Sequence, residues 1–306
     1  MLAAGGGRGP APGHRLGPQA LREALADLHE FWLTAHAGQA GIHTDTTGIT
    51  LIAVGGLGRR ELVPYADLDL LLVHDGRPAA AIERLAEGLW YPLWNAGIGL
   101  DHSVRTVGEA LDVAANDLRT AVGLLDARHI AGDRELADRL AGAARSQWRT
   151  GARKRLAELI ESARQRWQRT GEVAHWVEPD LKYGKGGLRD LAILEALAAA
   201  QLVDRPSGEV AQARTLLLDV RTELRRAAGR PRDVLRPQDG DEIGAVLGIG
   251  DRFTLARALS GAGRAVAYAL EVAFRATGAG PPSRRRLGVL RRGPDRRPLD
   301  EGVVLH

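Results

Sequence analysis

Residues 54–72 read V-G-G-L-G-R-R-E-L-V-P-Y-A-D-L-D-L-L-L, and their types and spacing suit phosphate chemistry. Asp67 and Asp69 stand two apart, so on a strand their carboxylates share one face. Two such hard-oxygen ligands suit Mg²⁺, which takes one or two carboxylates together with substrate phosphates. Two ions about 3.5–4 Å apart stabilise the attacking and leaving oxygens of an in-line displacement. Gly55 and Gly56 carry no Cβ, so a triphosphate can approach their N–H groups closely. Each part alone is weak, since Gly-Gly marks many turns and D-x-D many solvated strand edges. Here the acids interrupt an apolar run, Leu68 and Leu70 to Val73. Such a breach costs stability unless something neutralises the charge.

The elements that must hold these residues can be read from periodicity. Apolar Leu21, Leu25, Leu28 and Phe31/Trp32 predict a helix over 18–37, and residues 49–54 and 68–73 read as buried strands. A helix opens at Arg77-Pro78 and runs through Leu93, and a third strand follows over 98–104. This order suits a small mixed sheet backed by helices. Beyond Thr106 strand signals vanish, and helices are expected over 109–130, 135–167, 188–202, 210–228 and 252–275. One Gly/Pro-rich segment, 170–187, interrupts them. The fold class is therefore α+β: a sheet core over 18–107 followed by an all-helical domain over 108–277, with unstructured ends at 1–17 and 278–306. Gln238, Asp239 and Asp241 open a helix after Pro237 and read as capping residues.

The interrupting loop, D-L-K-Y-G-K-G-G-L-R-D over 180–190, sits just before a helix. Its backbone N–H groups and the cations Lys182, Lys185 and Arg189 suit a triphosphate or pyrophosphate. Asp190 reads as a brace for this loop. Between Gly56 and Pro64 one helical turn is expected over 58–62, with Arg59 either on the phosphates or at the surface. Arg105 either reaches substrate phosphate or makes a structural ion pair. The six tryptophans fall mostly at apolar helical positions and read as core.

Composition limits the alternatives. The 306 residues suffice for about two domains. With no cysteine, disulfides, thiolate chemistry and Cys-based zinc sites are excluded. No apolar run approaches the roughly 18–20 residues of a membrane span, and no signal-peptide core is seen, so a soluble, cytoplasmic protein without membrane partners is expected. The net charge of +4 belongs to the ends: residues 278–306 carry +4 and residues 1–17 carry +2, leaving −2 for the body. No basic face interleaved with aromatics is visible, so nucleic acid is not expected as a partner.

The string G-G-L-G-R-R-E-L-V-P-Y-A-D-L-D-L-L closely resembles the nucleotidyltransferase signature of the bacterial protein-PII uridylyltransferase/uridylyl-removing enzymes. Three further blocks resemble that family in the same order: L-W-N-A-G-I-G-L-D-H-S-V-R-T (93–106), E-P-D-L-K-Y-G-K-G-G-L-R-D-L (178–191) and G-R-P-R-D-V-L-R-P-Q-D-G-D-E-I-G-A-V-L-G (229–248). The resemblance implies a nucleotidyltransferase fold and transfer of UMP from UTP to a tyrosine of the PII signalling protein, with release of pyrophosphate. It implies two Mg²⁺ ions on Asp67 and Asp69, and a loop over 178–191 that closes on the nucleotide. Asp101 stands where that fold commonly supplies a third carboxylate, although many members of the family have a non-acidic residue there. Arg60 stands where the family has glycine, Leu57 where an aromatic is common, and Ala66 where Ser is found. The large Arg60 cation is expected to crowd the active loop. The family continues into a phosphohydrolase domain and two ligand-sensing domains. With no His-Asp metal motif here, neither uridylyl removal nor glutamine sensing is expected. Adenylylation of PII with ATP, action on a small molecule or RNA end, and a truncated module that only binds PII are the alternatives.

Overall fold

The computed structural model describes residues 15–278, together with the backbone of 298–300 and 303–304. Its order is helix α1 (Pro18–Gln39), strand β1 (Ile49–Ala53), the single helical turn α2 (Gly55–Gly58), β2 (Leu68–His74), α3 (Ala79–Asn95) and β3 (Leu100–Thr106). Then come α4 (Val107–Asn116), α5 (Leu118–Gly123), β4 (Arg128–Gly132) and the long α6 (Arg134–Thr170). The chain continues through α7 (Leu188–Ala199), α8 (Glu209–Ala228), α9 (Pro237–Val246) and α10 (Arg252–Ala276). A short antiparallel pair, β5 (Pro298–Asp300) with β6 (Val303–Val304), lies in the C-terminal region; the rest of the two ends expected to lack structure falls outside the described residues.

The fold is α+β, with one mixed four-stranded sheet ordered β3-β2-β1-β4. Strand β2 pairs antiparallel with β1 and parallel with β3, and β4 closes the other edge antiparallel to β1. The two-residue period of β2 decides the layers. Leu68, Leu70 and Leu72 enter a core with Ala26 and Leu33 of α1 and Leu89 and Leu93 of α3. Leu71 and Val73 enter a second core with Ala110 and Ala114 of α4 and Leu136 and Leu140 of α6. Carried back along the strand, the same parity puts Asp69 on the second face.

Strand β4 was not expected, and it carries the sheet past the boundary placed at residue 107. Its sequence R-H-I-A-G has one β-branched residue and follows a helical pattern, so only pairing with β1, far away in sequence, reveals it. Gly132 ends it at φ +81°, where a Cβ would collide with the Ile49 carbonyl.

Helix α6 is 37 residues long and spans about 55 Å. Its first half packs in the sheet core through Leu136, Leu140 and Trp148. Its second half packs in the helical core through Leu156, Leu159 and Ile160, with Leu194 of α7, Leu217 and Leu224 of α8 and Leu259 and Val266 of α10. The segment before α1 is tied to this half as well: Arg15 pairs with Glu223, and Arg226 donates to the Leu16 carbonyl at 3.0 Å. Those residues were expected to belong to a free tail. Of the tryptophans, Trp90 and Trp148 are buried, whereas Trp94 and Trp176 are exposed and do not serve as core.

Candidate functional site

Between the sheet and the helical half lies a cleft of about 620 Å³. Gly55, Gly56, Asp67 and Asp69 line one side; Lys182, Tyr183 and Arg189 line the other. The residues singled out as metal ligands thus meet two of the three loop cations, more than a hundred positions away in the chain.

Helical turn α2 begins at the paired glycines, earlier than the 58–62 expected. Gly55 adopts φ +59°, and a Cβ there would collide with the Asp69 carboxylate. A Cβ on Gly56 would find nothing nearer than the Glu61 carbonyl at 3.9 Å. The two glycines therefore do different work: Gly55 makes room for Asp69, and Gly56 leaves open space in the cleft. Their N–H groups stand in the first turn, where no intrahelical acceptor exists.

Asp67 is exposed just before β2, and Asp69 is half-buried within it. Burial and then the neighbouring Asp101 push the Asp69 carboxyl above its usual range, against the pull of Lys182, Arg119 and Arg189. Asp69 and Asp101 are partners in the parallel β2–β3 register. Asp101 is nevertheless exposed, lies 3.6 Å from the Arg119 guanidinium, and does not line the cleft. Among the described residues no group of three acids or histidines converges as a metal cage. A site of two carboxylates still fits Mg²⁺, whose other positions go to water and phosphate oxygens.

The loop before α7 is held in place by its own backbone and by Asp190. Asp180 accepts from the N–H groups of Lys182 and Tyr183 at 2.9 and 2.8 Å, and the Leu181 side chain is fully buried. Gly186, at φ +82°, lies so close to the Gly263 backbone of α10 that no side chain fits. Asp190, fully buried, accepts from Arg166 Nη2 at 2.7 Å, Trp167 Nε1 at 3.0 Å and Gly186 N at 2.7 Å. It braces the loop, as its position suggested.

This frame aims the three loop cations differently. Lys182 and Arg189 lie over the Tyr183 ring, 4.9 and 5.7 Å from its centroid, and have no acid partner among the described residues. Burial would raise the Tyr183 phenol, but Lys182 and Arg189 together hold it below its usual value. Lys185 instead pairs with Glu172 at 3.6 Å and Glu271 at 3.0 Å and does not line the cleft. The expected phosphate contact for Lys185 is replaced by a structural one.

Arg59 lines the cleft but is held by Glu61 at 2.8 Å and by Asp126. Glu61 also accepts from Arg214 of α8 at 2.5 Å, and Arg214 reaches Glu195 of α7 at 2.9 Å. Burial would raise Glu61, but Arg59 and then Arg214 outweigh it and hold the carboxyl below its usual range. Arg59 therefore belongs first to a bridge between the sheet and the helices. Glu61 and Arg214 were missed by the sequence reading, although Glu61 stands inside the glycine motif. Arg60, expected to crowd this loop, turns out to α1, where it meets Asp27 and Glu30. Arg105 does not line the cleft either. Asp239 accepts from the Arg236 N–H at 3.2 Å and Asp241 from the Arg252 N–H at 2.9 Å, both structural roles.

Residues 154–270 match the GlnD PII-uridylyltransferase family. Over 95% of its length the chain is 54% identical to a bifunctional uridylyltransferase/uridylyl-removing enzyme of Mycobacterium tuberculosis, of which it spans 37%. It is 47% identical, again over 95% of its length, to one of Streptomyces coelicolor, spanning 36% of it. With one of Corynebacterium glutamicum it shares 40% identity over 84% of its length, again spanning 36%.

Proposed function

The chain is a relative of the bifunctional uridylyltransferase/uridylyl-removing enzymes, and we propose that its cleft transfers UMP from UTP to a tyrosine hydroxyl of the PII protein, releasing pyrophosphate. One observation carries this reading: Asp67 and Asp69 line a single cleft with Gly56, Lys182 and Arg189, and the charges of Lys182 and Arg189 act on Asp69. Carboxylates for a divalent cation opposite cations for a polyphosphate are the parts phosphoryl-type transfer needs, since positioning and electrostatics supply most of its catalysis.

Asp67 and Asp69 would hold two Mg²⁺ ions, which when bound lower the pKa of the acceptor hydroxyl and neutralise charge on the α-phosphate and leaving group. The remaining work belongs to the chain's own residues. Gly56 admits the phosphates close to the backbone, and Lys182 and Arg189 neutralise the pyrophosphate as the bond from the α-phosphorus to its bridging oxygen breaks. The new bond forms between the acceptor tyrosine oxygen, which releases its proton to solvent, and the α-phosphorus. Asp101 as a third carboxylate would have to leave Arg119 first. Among the described residues no helix is long and apolar enough to cross a membrane, and the reading places the enzyme in the cytoplasm with its substrate.

Mass spectrometry of PII after incubation with the chain, Mg²⁺ and either UTP or ATP tests the proposal. A gain of one UMP with UTP is expected. A gain of AMP alone would move the donor to ATP, and no gain with either would leave a module that binds PII without modifying it.

A further inference from the structure

Ten basic side chains line the cleft against five acids, an excess of five positive charges. Five of the ten are already committed: Arg59, Arg119, Arg214, Arg221 and Arg225 each meet a carboxylate. Lys182, Arg189, Arg145, Arg149 and Arg205 have no acid partner among the described residues. These five fall into two groups by position. Lys182 and Arg189 flank Tyr183 and act electrostatically on Asp69. Arg145 and Arg149 stand four apart on α6, hence on one face of it, and Arg205 follows α7 in the connection to α8. Trp148, between the two α6 arginines, donates its Nε1 to the Ala196 carbonyl at 2.7 Å, which fixes this stretch of α6 against α7. The leading influences on the Asp69 carboxyl are burial, Asp101, Lys182, Arg119 and Arg189, and these three arginines are not among them.

A nucleotide triphosphate needs its cations beside the carboxylates, and Lys182 and Arg189 meet that need. The second group therefore addresses a second anion. We propose that Arg145, Arg149 and Arg205 form a docking site for an acidic segment of the acceptor protein, on the α6–α7 side of the cleft. The proposal rests on the reading of the cleft as one that modifies a protein. Three exposed guanidiniums spread over two elements match carboxylates spaced along a peptide, each able to form a bidentate pair. Ala198 and Ala199 at the end of α7 also line the cleft, and Tyr183, the aromatic residue lining it, belongs to the other group. That arrangement offers no stacking surface to a single-stranded nucleic acid. Charges so placed act on encounter and orientation more than on the chemical step.

The test is the full chain with Arg145→Ala, Arg149→Ala and Arg205→Ala combined, compared with wild type for transfer to PII and for direct PII binding at low and high salt. The side chains are exposed and unpaired, so the fold is expected to persist. The variant should show KM for PII raised about tenfold or more at low salt, with kcat and KM for UTP unchanged. Wild-type affinity for PII should fall with salt while that of the variant changes little. The triple Arg→Lys variant should recover part of the loss. An unchanged KM and affinity for PII would overturn the docking site, and a raised KM for UTP would reassign the arginines to the nucleotide. If wild type modifies nothing, the functional reading fails on its own, and the binding comparison still decides the docking site.

Discussion

Arg225 of α8 donates through Nη1 to the Tyr65 carbonyl at 2.9 Å, two residues before Asp67. The same guanidinium gives Nε to Asp233 at 2.8 Å, and Asp233 also accepts from Arg221 at 2.7 Å. The backbone on either side of Val234 pairs with the segment leading into the cation loop: Leu181 N donates to the Asp233 carbonyl at 2.9 Å, and Leu235 N to the Pro179 carbonyl at 3.0 Å. One buried arginine thus ties the approach to the carboxylates to the frame of the loop that bears Lys182. Tyr65 sits at φ +56°, a conformation a non-glycine residue keeps only where its surroundings hold it.

Arg225 is accordingly a positioning residue. Lysine in its place keeps the charge but cannot make the forked contact to Asp233 and the Tyr65 carbonyl together. Arg225→Lys is expected to fold, to lose about 1–3 kcal/mol of stability, and to lower kcat at least tenfold, with a smaller change in KM for UTP. Steady-state kinetics beside thermal unfolding checks this. A variant that loses stability but keeps wild-type kcat would show that Arg225 does not position Asp67.

The two glycines of the motif should separate in mutagenesis. Gly55→Ala must place a Cβ against the Asp69 carboxylate at a positive φ, so both stability and transfer should fall, the latter by about a hundredfold or more. Gly56→Ala meets no protein atom closer than 3.9 Å and should leave thermal stability equal or slightly raised while weakening nucleotide binding. Equal behaviour of the two in melting and nucleotide titration would defeat the distinction.

Asp69 is desolvated, and Asp101 lies beside it in the sheet. Asp69→Asn keeps the shape of the side chain and removes the repulsion. Transfer should be abolished, while the melting temperature without Mg²⁺ should rise by a few degrees. Added Mg²⁺ should stabilise wild type and not the variant. Retained transfer in the variant would reject Asp69 as a functional carboxylate.

Much of this arrangement was legible in the sequence because it is local. The strands around Asp69 and the helices of the second half follow their own hydrophobic periods, and α2 is announced by its glycines. What escaped depends on distant partners. Strand β4 exists through β1. Lys182 and Lys185 look alike in sequence, yet Glu172 and Glu271 capture only the second. Arg59 has its acids at Glu61 and Asp126, and the latter is 67 positions away in the chain.

Arg60 is a test of that last point. It occupies φ +58°, which costs an ordinary side chain about 1 kcal/mol, and its ion pairs to Asp27 and Glu30 are partly exposed and return about as much. Arg60→Gly should therefore change stability by less than about 1 kcal/mol and transfer by less than about twofold. A tenfold change in kcat would mean that Arg60 does reach the cleft.

Glu61 is expected to set the acid limit of stability. Its carboxyl lies below its usual range in the fold, against burial, because Arg59 and Arg214 hold the charged form. A depressed carboxylate stabilises fully above its unfolded value, about 4.3, and that contribution is lost as pH falls toward the folded value. Wild type should hold its melting temperature down to about pH 5 and lose it steeply below, as the bridge between the sheet and α8 is protonated. Glu61→Gln should melt lower at neutral pH, where it leaves Arg59 and Arg214 short of an acid, and should fall less steeply below pH 5. Melting curves of both proteins between about pH 7 and pH 3 decide the matter. Parallel curves would place the acid-sensitive group elsewhere, with Asp233 between Arg221 and Arg225 the next to replace.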